Sequence, residues 1–419
     1  MRDQDEATIT AIRRLDAEPP GPSRVNLRVA MAEGRRRRRV RRTWLAGGAA
    51  AAVALAVVVP TAVLGRVGAG TARHPADPAG RSGSPAAASP SATAAPEPTS
   101  CSARLLSVPN PMVESDVTGG DPSGRIILGR WYRMGAGQDR AVLVWTDGRP
   151  TSVDMPGSEQ SLDDANPAGT AVGSSYHGDH PTPYVYQDGR VRALPGVEHG
   201  RAWAINEAGR IVGDREQGDR HVPVVWPAPD QPARDLSLPG PGWRGSATDV
   251  DAEGNIVGEI KPGPGKVASI GFVWPAGGGS GYALPMPTVK GRTATSLHPI
   301  SIGGGWVTGA AYLESGGSVS IHPVRLRLAD RRYVPFAREV AEPAVGNGRG
   351  WVAGGTGEFD GAMLTDSKVV RLPLLANPPG RYSANVGFLS DDGRTVGGQL
   401  DDLSGNGSTK PRAVVWRCR

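Results

Sequence analysis

The feature that most limits what this chain can fold into is a glycine closing a short apolar strand, which recurs along most of its length. It is clearest in Ala202-Trp203-Ala204-Ile205-Asn206-Glu207-Ala208-Gly209-Arg210-Ile211-Val212-Gly213, and blurred copies end at Gly173 and Gly258. The full series is Gly129, Gly173, Gly213, Gly258, Gly309, Gly354 and Gly397, with intervals of 44, 40, 45, 51, 45 and 43 residues. A second landmark, an apolar residue followed by proline, alternates strictly with these glycines: Val108-Pro109, Met155-Pro156, Leu194-Pro195, Leu238-Pro239, Leu284-Pro285, Val334-Pro335 and Leu372-Pro373. Between each glycine and the next proline lies a short strand that ends, in the best copies, at Trp145, Tyr186, Trp226, Trp274 or Trp416. The fifth and sixth copies, Pro323-Val324-Arg325-Leu326 and Ala362-Met363-Leu364-Thr365, lack the aromatic.

Each unit therefore reads as four short strands, and repeats of this length with four strands are the pattern of propeller blades. With 59 Gly and 38 Pro in 419 residues, a helical fold is excluded. The expectation is an all-β, seven-bladed β-propeller of four-stranded antiparallel blades over residues 101–419. The Asn-x-x-Gly turn at Asn206–Gly209 suits a tight connection between the first two strands, and the blade-end tryptophan supplies bulk between sheets. Proline at the outermost strand removes a donor from an exposed edge.

These units resemble the HAF repeat of bacterial extracellular proteins, whose pattern runs Ala-x-Ala-Ile-Asn-x-x-Gly-x-Ile-Val-Gly and then His-Ala-Phe-x-Trp. Ala202, Ala204, Ile205, Asn206, Gly209, Ile211, Val212 and Gly213 carry the match, and the His-Ala-Phe triplet is nowhere intact. The resemblance implies a propeller-like fold outside the cell and no established reaction. The period is also similar to that of kelch propellers, whose paired glycines occur here only in some copies, as at Gly354-Gly355 and Gly397-Gly398.

Ahead of the repeats, the chain divides by composition. The net charge of +6 sits in residues 1–43, which hold 12 Arg against 6 acidic residues; beyond residue 100 there are 32 basic and 33 acidic residues. Nucleic-acid binding requires a dense cationic surface, and the cluster Arg35–Arg39 with Arg41 and Arg42 instead flanks a segment with no charge from Trp44 to Leu64. Twenty-one such residues span a bilayer as a helix, and the arginines place the N-terminus in the cytoplasm. A cleaved signal peptide is the competing reading, but 43 preceding residues exceed an ordinary n-region and no clean Ala-x-Ala site follows. The expectation is thus a bacterial single-pass membrane protein with its C-terminal domain outside. Residues 1–33 carry two weak helical patterns around Ile9, Ile12, Leu15 and Val25, Val29, Met31, either a docking segment for a cytoplasmic partner or a partly ordered tail. Residues 65–100, rich in Ala, Pro, Ser and Thr, read as a linker.

Chemistry is sparse. His177, Asp179 and His180 fall within one loop with no partner carboxylates assigned from another, so no metal site is predicted. Ser390–Thr395 aligns with the ordinary repeating turn, as do Asp251 and Glu253 of the acidic cluster Asp249, Asp251, Glu253, which is short of the oxygen ligands of a calcium loop, and no catalytic motif or cofactor site is found. Aromatic and histidine residues assigned to loops, Trp131, Tyr132, Tyr176, His199, Trp243, Tyr312 and Phe359, form the candidate binding set. The function expected is a binding or scaffold domain for a cell-envelope glycan or extracytoplasmic protein; the alternative is a glycan hydrolase or lyase, which requires converging acid and base groups.

The closing of the ring is also legible. The last unit ends after three strands at Trp416, and residues 103–108 match the missing Leu-Pro-ended strand, so they are expected to pair beside residues 411–417. Cys101 and Cys418, the only cysteines, flank that joint and are expected to form a disulfide outside the membrane.

Overall fold

The computed structural model describes residues 96–109, 114–132, 140–263, 268–315, 318–338, 342–356, 360–375, 382–402 and 410–419. The tail, the expected span 44–64 and the linker as far as residue 95 lie outside the described residues. Among the described residues no helix is long and apolar enough to cross a membrane.

Seven four-stranded antiparallel sheets follow one another along the chain, six of them with all four strands in sequence order from the inside outward. Their innermost strands are Ser115–Gly120, Ser158–Ala165, Gly200–Ile205, Arg244–Val250, Ser296–Gly303, Glu342–Gly346 and Tyr382–Leu389. This is a seven-bladed propeller. An extra hairpin, Thr288–Val289 with Arg292–Thr293, stands between blades 4 and 5 and accounts for the long interval between Gly258 and Gly309.

The repeating glycine has one cause. In every blade the pairing of the first and second strands shifts by one residue opposite it, at Val117/Gly119, Leu162/Asp164, Ala202/Ala204, Ala247/Asp249, Pro299/Ser301, Pro343/Val345 and Val386/Phe388. Such a bulge bends the inner strand and drives a carbonyl across the neighbouring Cα. A Cβ on Gly129, Gly173, Gly213, Gly258 or Gly354 would run into the carbonyl of Asp116, Ser161, Arg201, Ser246 or Glu342. In blade 7 the residue in this position is Gly398, beneath the Asn385 carbonyl, one residue beyond the Gly397 of the sequence series.

The other landmarks lock neighbouring blades together. Trp145, Trp226 and Trp416 are fully buried, and Trp274 nearly so. Each indole N–H donates to a backbone carbonyl beside the Leu-Pro segment of the preceding blade: Trp145 to Ser107 (2.6 Å), Trp226 to Pro195 (2.9 Å), Trp274 to Ser237 (2.7 Å) and Trp416 to Pro373 (2.8 Å). Leu194, Leu284 and Leu372 of these segments are buried as well. The proline thus stands past the end of the outer strand, and in blades 2, 3, 4 and 6 a carbonyl of its segment accepts a hydrogen bond from the next blade. In blade 5, whose third strand lacks the terminal tryptophan, the Tyr333 hydroxyl donates to the Pro285 carbonyl instead (2.7 Å).

Blade 7 is completed by the start of the domain. Cys101–Leu105 pairs antiparallel with Lys410–Cys418 in the register Cys101↔Cys418 to Leu105↔Val414, and Leu106 N–H continues the ladder to the Ala413 carbonyl (2.9 Å). The pairing begins two residues earlier than the 103–108 read from sequence. A disulfide joins Cys101 to Cys418 across 317 residues, with Cα atoms 4.0 Å apart. Residues at the end of the stretch read as linker also lie on the propeller: Thr99 and Ser100 N–H groups bond the Arg419 carbonyl, and Glu97 accepts from Thr365 (2.7 Å) and Ser367 (2.9 Å).

Adjacent glycines in blade 6 separate the bulge constraint from a generic glycine effect. Gly354→Ala is expected to lower stability by about 3 kcal/mol or abolish folding, because the clash is with backbone. Gly355→Ala, with open space around it, is expected to be neutral or slightly stabilising by denaturant titration.

Candidate functional site

Because strands alternate in direction, the starts of the inner strands and the ends of the second strands share one face of the ring, called here the upper face. Six of the chain's seven histidines, His177, His180, His199, His221, His298 and His322, sit at this end of blades 2, 3 and 5. The bulges put a further ring of residues at its centre. The extra residue of each bulge, Thr118, Asp163, Trp203, Thr248, Ile300, Ala344 and Gly387, is half-buried in strands whose flanking residues are largely buried. Six of these are small or medium-sized; the seventh is a tryptophan.

Trp203 is held in place by blade 3 itself. Register passes from Ala202↔Gly213 to Ala204↔Val212, leaving Trp203 outside the ladder. Its indole N–H donates to Asp214 Oδ2 (2.7 Å), the residue after the bulge glycine. The same carboxylate accepts from Ser246 Oγ of blade 4 (2.7 Å) and, at Oδ1, from His221 Nδ1 (2.8 Å). Asp214 is 3% exposed, so burial alone pushes its carboxyl upward; the His221 hydrogen bond and charge, with the Trp203 and Ser246 bonds, outweigh this and hold it below the ordinary value. His221 is raised by its hydrogen bond to Asp214, against the opposing effect of its own burial.

On the other side of Trp203 lies Arg201. Its guanidinium carbon is 5.5 Å from the ring centroids of both Trp203 and Tyr176, and its Nη2 donates to the Tyr176 hydroxyl. Further out, His180 Nδ1 meets Glu216 Oε2 (2.7 Å), and the His180 and His199 rings lie 4.5 Å apart at 30°. Between blades 4 and 5 the arrangement recurs in altered form: Glu259, which also follows a bulge glycine, meets His298 Nδ1 (2.5 Å) and Lys261 (3.3 Å). Burial raises this carboxyl, but His298 and Lys261 overcome it and bring it to about 2.

Of the aromatic set read from sequence, the structure brings Tyr176 and His199 onto this patch. Tyr312 stands beside His298, ring centroids 4.6 Å apart. Trp131 packs against the core around Ile127, Leu143 and Trp145, and Trp243 against that around Ile260, Phe272 and Trp274. Tyr132 ends the second strand of blade 1, and Phe359 lies outside the described residues. Arg201, Trp203, Asp214 and His221 were not in that set. The one visible signal was at Trp203, a large aromatic where the other copies place Thr, Asp, Ile, Ala or Gly. Among the described residues no cluster of three or more His, Cys, Asp or Glu is arranged to hold a metal ion.

The opposite, turn-bearing face carries a second set of carboxylates with the reverse character. Asp164 and Asp249 stand at equivalent positions after the bulges of blades 2 and 4. Each accepts a backbone N–H from the following blade, Ile205 (2.8 Å) and Ile302 (2.7 Å) respectively. Burial, with no cation beside them to offset it, pushes Asp164 well above its usual value and Asp249 to about 7.

No family model and no curated protein sequence matches the chain. Among solved structures, TolB from Acinetobacter baumannii is 12% identical, with a TM-score of 0.38 over 52% of this chain and 53% of that one, so the chain spans about half its length. The polysaccharide lyase Uly1 is 10% identical, TM-score 0.45, over 71% and 90% of the two chains. The β-propeller domain of the Trilobed protease from Pyrococcus furiosus, described as having an open velcro topology, is also 10% identical, TM-score 0.45, over 71% and 97%. At these values the likeness carries nothing about ligand or activity.

Two pH effects of opposite sign follow. His221, raised, contributes stability that is complete below its ordinary value near 6.5 and is lost as pH rises through its folded value. Asp214, lowered, contributes above about 3.8 and loses it as pH falls through its depressed value. Asp214→Asn is therefore expected to lower the His221 pKa, read from its imidazole proton shifts by NMR titration. Asp249, raised, penalises the fold increasingly as pH climbs from about 4 to about 7. Asp249→Asn is expected to stabilise by on the order of 2 kcal/mol at pH 8 and to give no gain at pH 4, by thermal melts at both.

Proposed function

We propose that this chain is a membrane-anchored extracytoplasmic propeller, of the kind its HAF-like repeats resemble, that acts as a binding domain for a cell-envelope glycan or protein. The upper mouth of blades 2 to 4 is its recognition face. The observation that carries the reading is the group locked around Asp214: one buried carboxylate fixes both the Trp203 indole and the His221 imidazole, while Tyr176 and Trp203 flank Arg201. Aromatic and arginine side chains already held in one geometry spend little entropy on binding a partner. The Cys101–Cys418 disulfide favours a compartment outside the reducing cytoplasm, in keeping with an anchor at residues 44–64.

A hydrolase or lyase is the less favoured reading. Asp214 and Glu259, two carboxylates of the upper face, are both held below their ordinary range by cationic partners, so neither carries a proton to donate near neutral pH. The test is co-sedimentation of the full-length chain with purified cell-wall material. Binding is expected, and the double variant Arg201→Gln, Trp203→Ala is expected to lose at least about ten-fold in affinity while keeping the wild-type β-sheet circular-dichroism spectrum. Undiminished binding by the double variant would remove the mouth as the recognition face; release of glycan fragments by the wild type would restore the enzymatic reading.

A further inference from the structure

The mouth of blade 3 also has a chemical preference. Trp203 is only half-buried, although its N–H is satisfied inward by Asp214, so the polar end of the ring is anchored and part of the apolar surface is left to solvent. A half-exposed apolar ring with an anchored N–H suits a flat, partly apolar ligand face. Around it stand hydroxyl and imidazole groups: Tyr176 OH, Ser246 OH, and the ring of His221, whose Nδ1 is taken by Asp214 so that Nε2 is the nitrogen left for a ligand. A pyranose offers the matching pattern of C–H face and hydroxyl edge.

Charge selects further. The guanidinium of Arg201 is flanked by two rings, a setting that suits planar recognition of an oxyanion through its N–H fork. His221 adds a second cation when protonated. The charged groups around it are Asp214 and Glu216 on the second strand and Arg201 on the inner strand. The outer strand of the blade adds Asp235, itself paired with Arg215 at 2.8 Å, and the inner strand of blade 4 begins at Arg244. Asp214, placed behind the ring, stabilises the imidazolium without occupying Nε2.

We propose that this mouth binds an acidic sugar residue of an envelope polymer, with the pyranose on Trp203 and its carboxylate or phosphate between Arg201 and His221. The inference rests on the binding-domain reading above and narrows it to one ligand chemistry. Binding strengthens as pH falls through the His221 titration, because the second cation appears.

Titration calorimetry on the full-length chain in mild detergent, at about pH 5.5 and about pH 8, tests this with four probes: an oligogalacturonate hexamer, a phosphorylated pentamannose, neutral chitohexaose and a hexaglutamate peptide. One of the two acidic sugars is expected to bind, several-fold more tightly at the lower pH, and which of them binds identifies the anion as carboxylate or phosphate. Trp203→Ala and Arg201→Gln are each expected to weaken it at least about ten-fold, Trp203→Phe to retain most of it, and His221→Gln to abolish the pH dependence, each variant being titrated well below its own melting temperature. Equal binding of chitohexaose with loss in Trp203→Ala would overturn the acidic-sugar inference and leave the binding domain standing. Equal binding of hexaglutamate would overturn the sugar specificity. Failure of both acidic sugars at millimolar concentration would overturn the inference outright, and only a failed co-sedimentation as well would take the broader reading with it.

Discussion

The fold hangs on a close approach of backbone to backbone, repeated seven times. In each blade a bulge in the inner strand lays a carbonyl over the facing strand, and in most blades only a residue without a Cβ fits beneath it. The bulge tightens the local twist and pushes one side chain out of the ladder. One constraint thus accounts for both the repeating glycine and the ring of side chains at the inner edge. Buried tryptophans tie four of the seven sheets to the preceding one from the outer side, by an N–H to carbonyl bond that also relieves the burial cost of the indole.

Within that frame the blades differ where the frame places no demand. The bulge residue runs from Gly387 to Trp203, and the residue after the bulge glycine is Arg130, Asp214 or Glu259 in different blades. Where that residue is acidic it reaches the following blade: Asp214 to Ser246, Glu259 to His298. In blade 3 the same carboxylate also holds Trp203 and His221, so a contact that joins blades positions the recognition residues as well.

Carboxylates at two levels of the ring share burial but not partners. Asp214 and Glu259 face imidazole or ammonium groups and remain ionised; Asp164 and Asp249 face backbone N–H groups, whose dipoles do not repay the loss of water. The two sets give the domain opposing responses to pH, one tied to the recognition face and one to the joints between blades.

The blade count, the strand order and the disulfide were legible in the sequence because each rests on something that must recur or on a pair with no alternative. A carbonyl over Gly213 admits only glycine, a blade-end tryptophan fills the same gap at Trp145, Trp226, Trp274 and Trp416, and two cysteines allow one bridge. The phase of blade 7 was one residue off because Gly397 and Gly398 are both glycine, and only the hydrogen-bond register separates them. The candidate site was legible only as scattered aromatics, of which Trp131 and Trp243 turned out to pack on core residues. Its central members come from residues 176 to 246, on three blades, and carry no common motif. Their convergence was decided by tertiary structure: the bulge turns Trp203 out of the ladder, and blade packing brings Ser246 to Asp214. Local sequence specifies which side chains a strand carries; only the stacking of twisted sheets around a shared axis sets which of them meet.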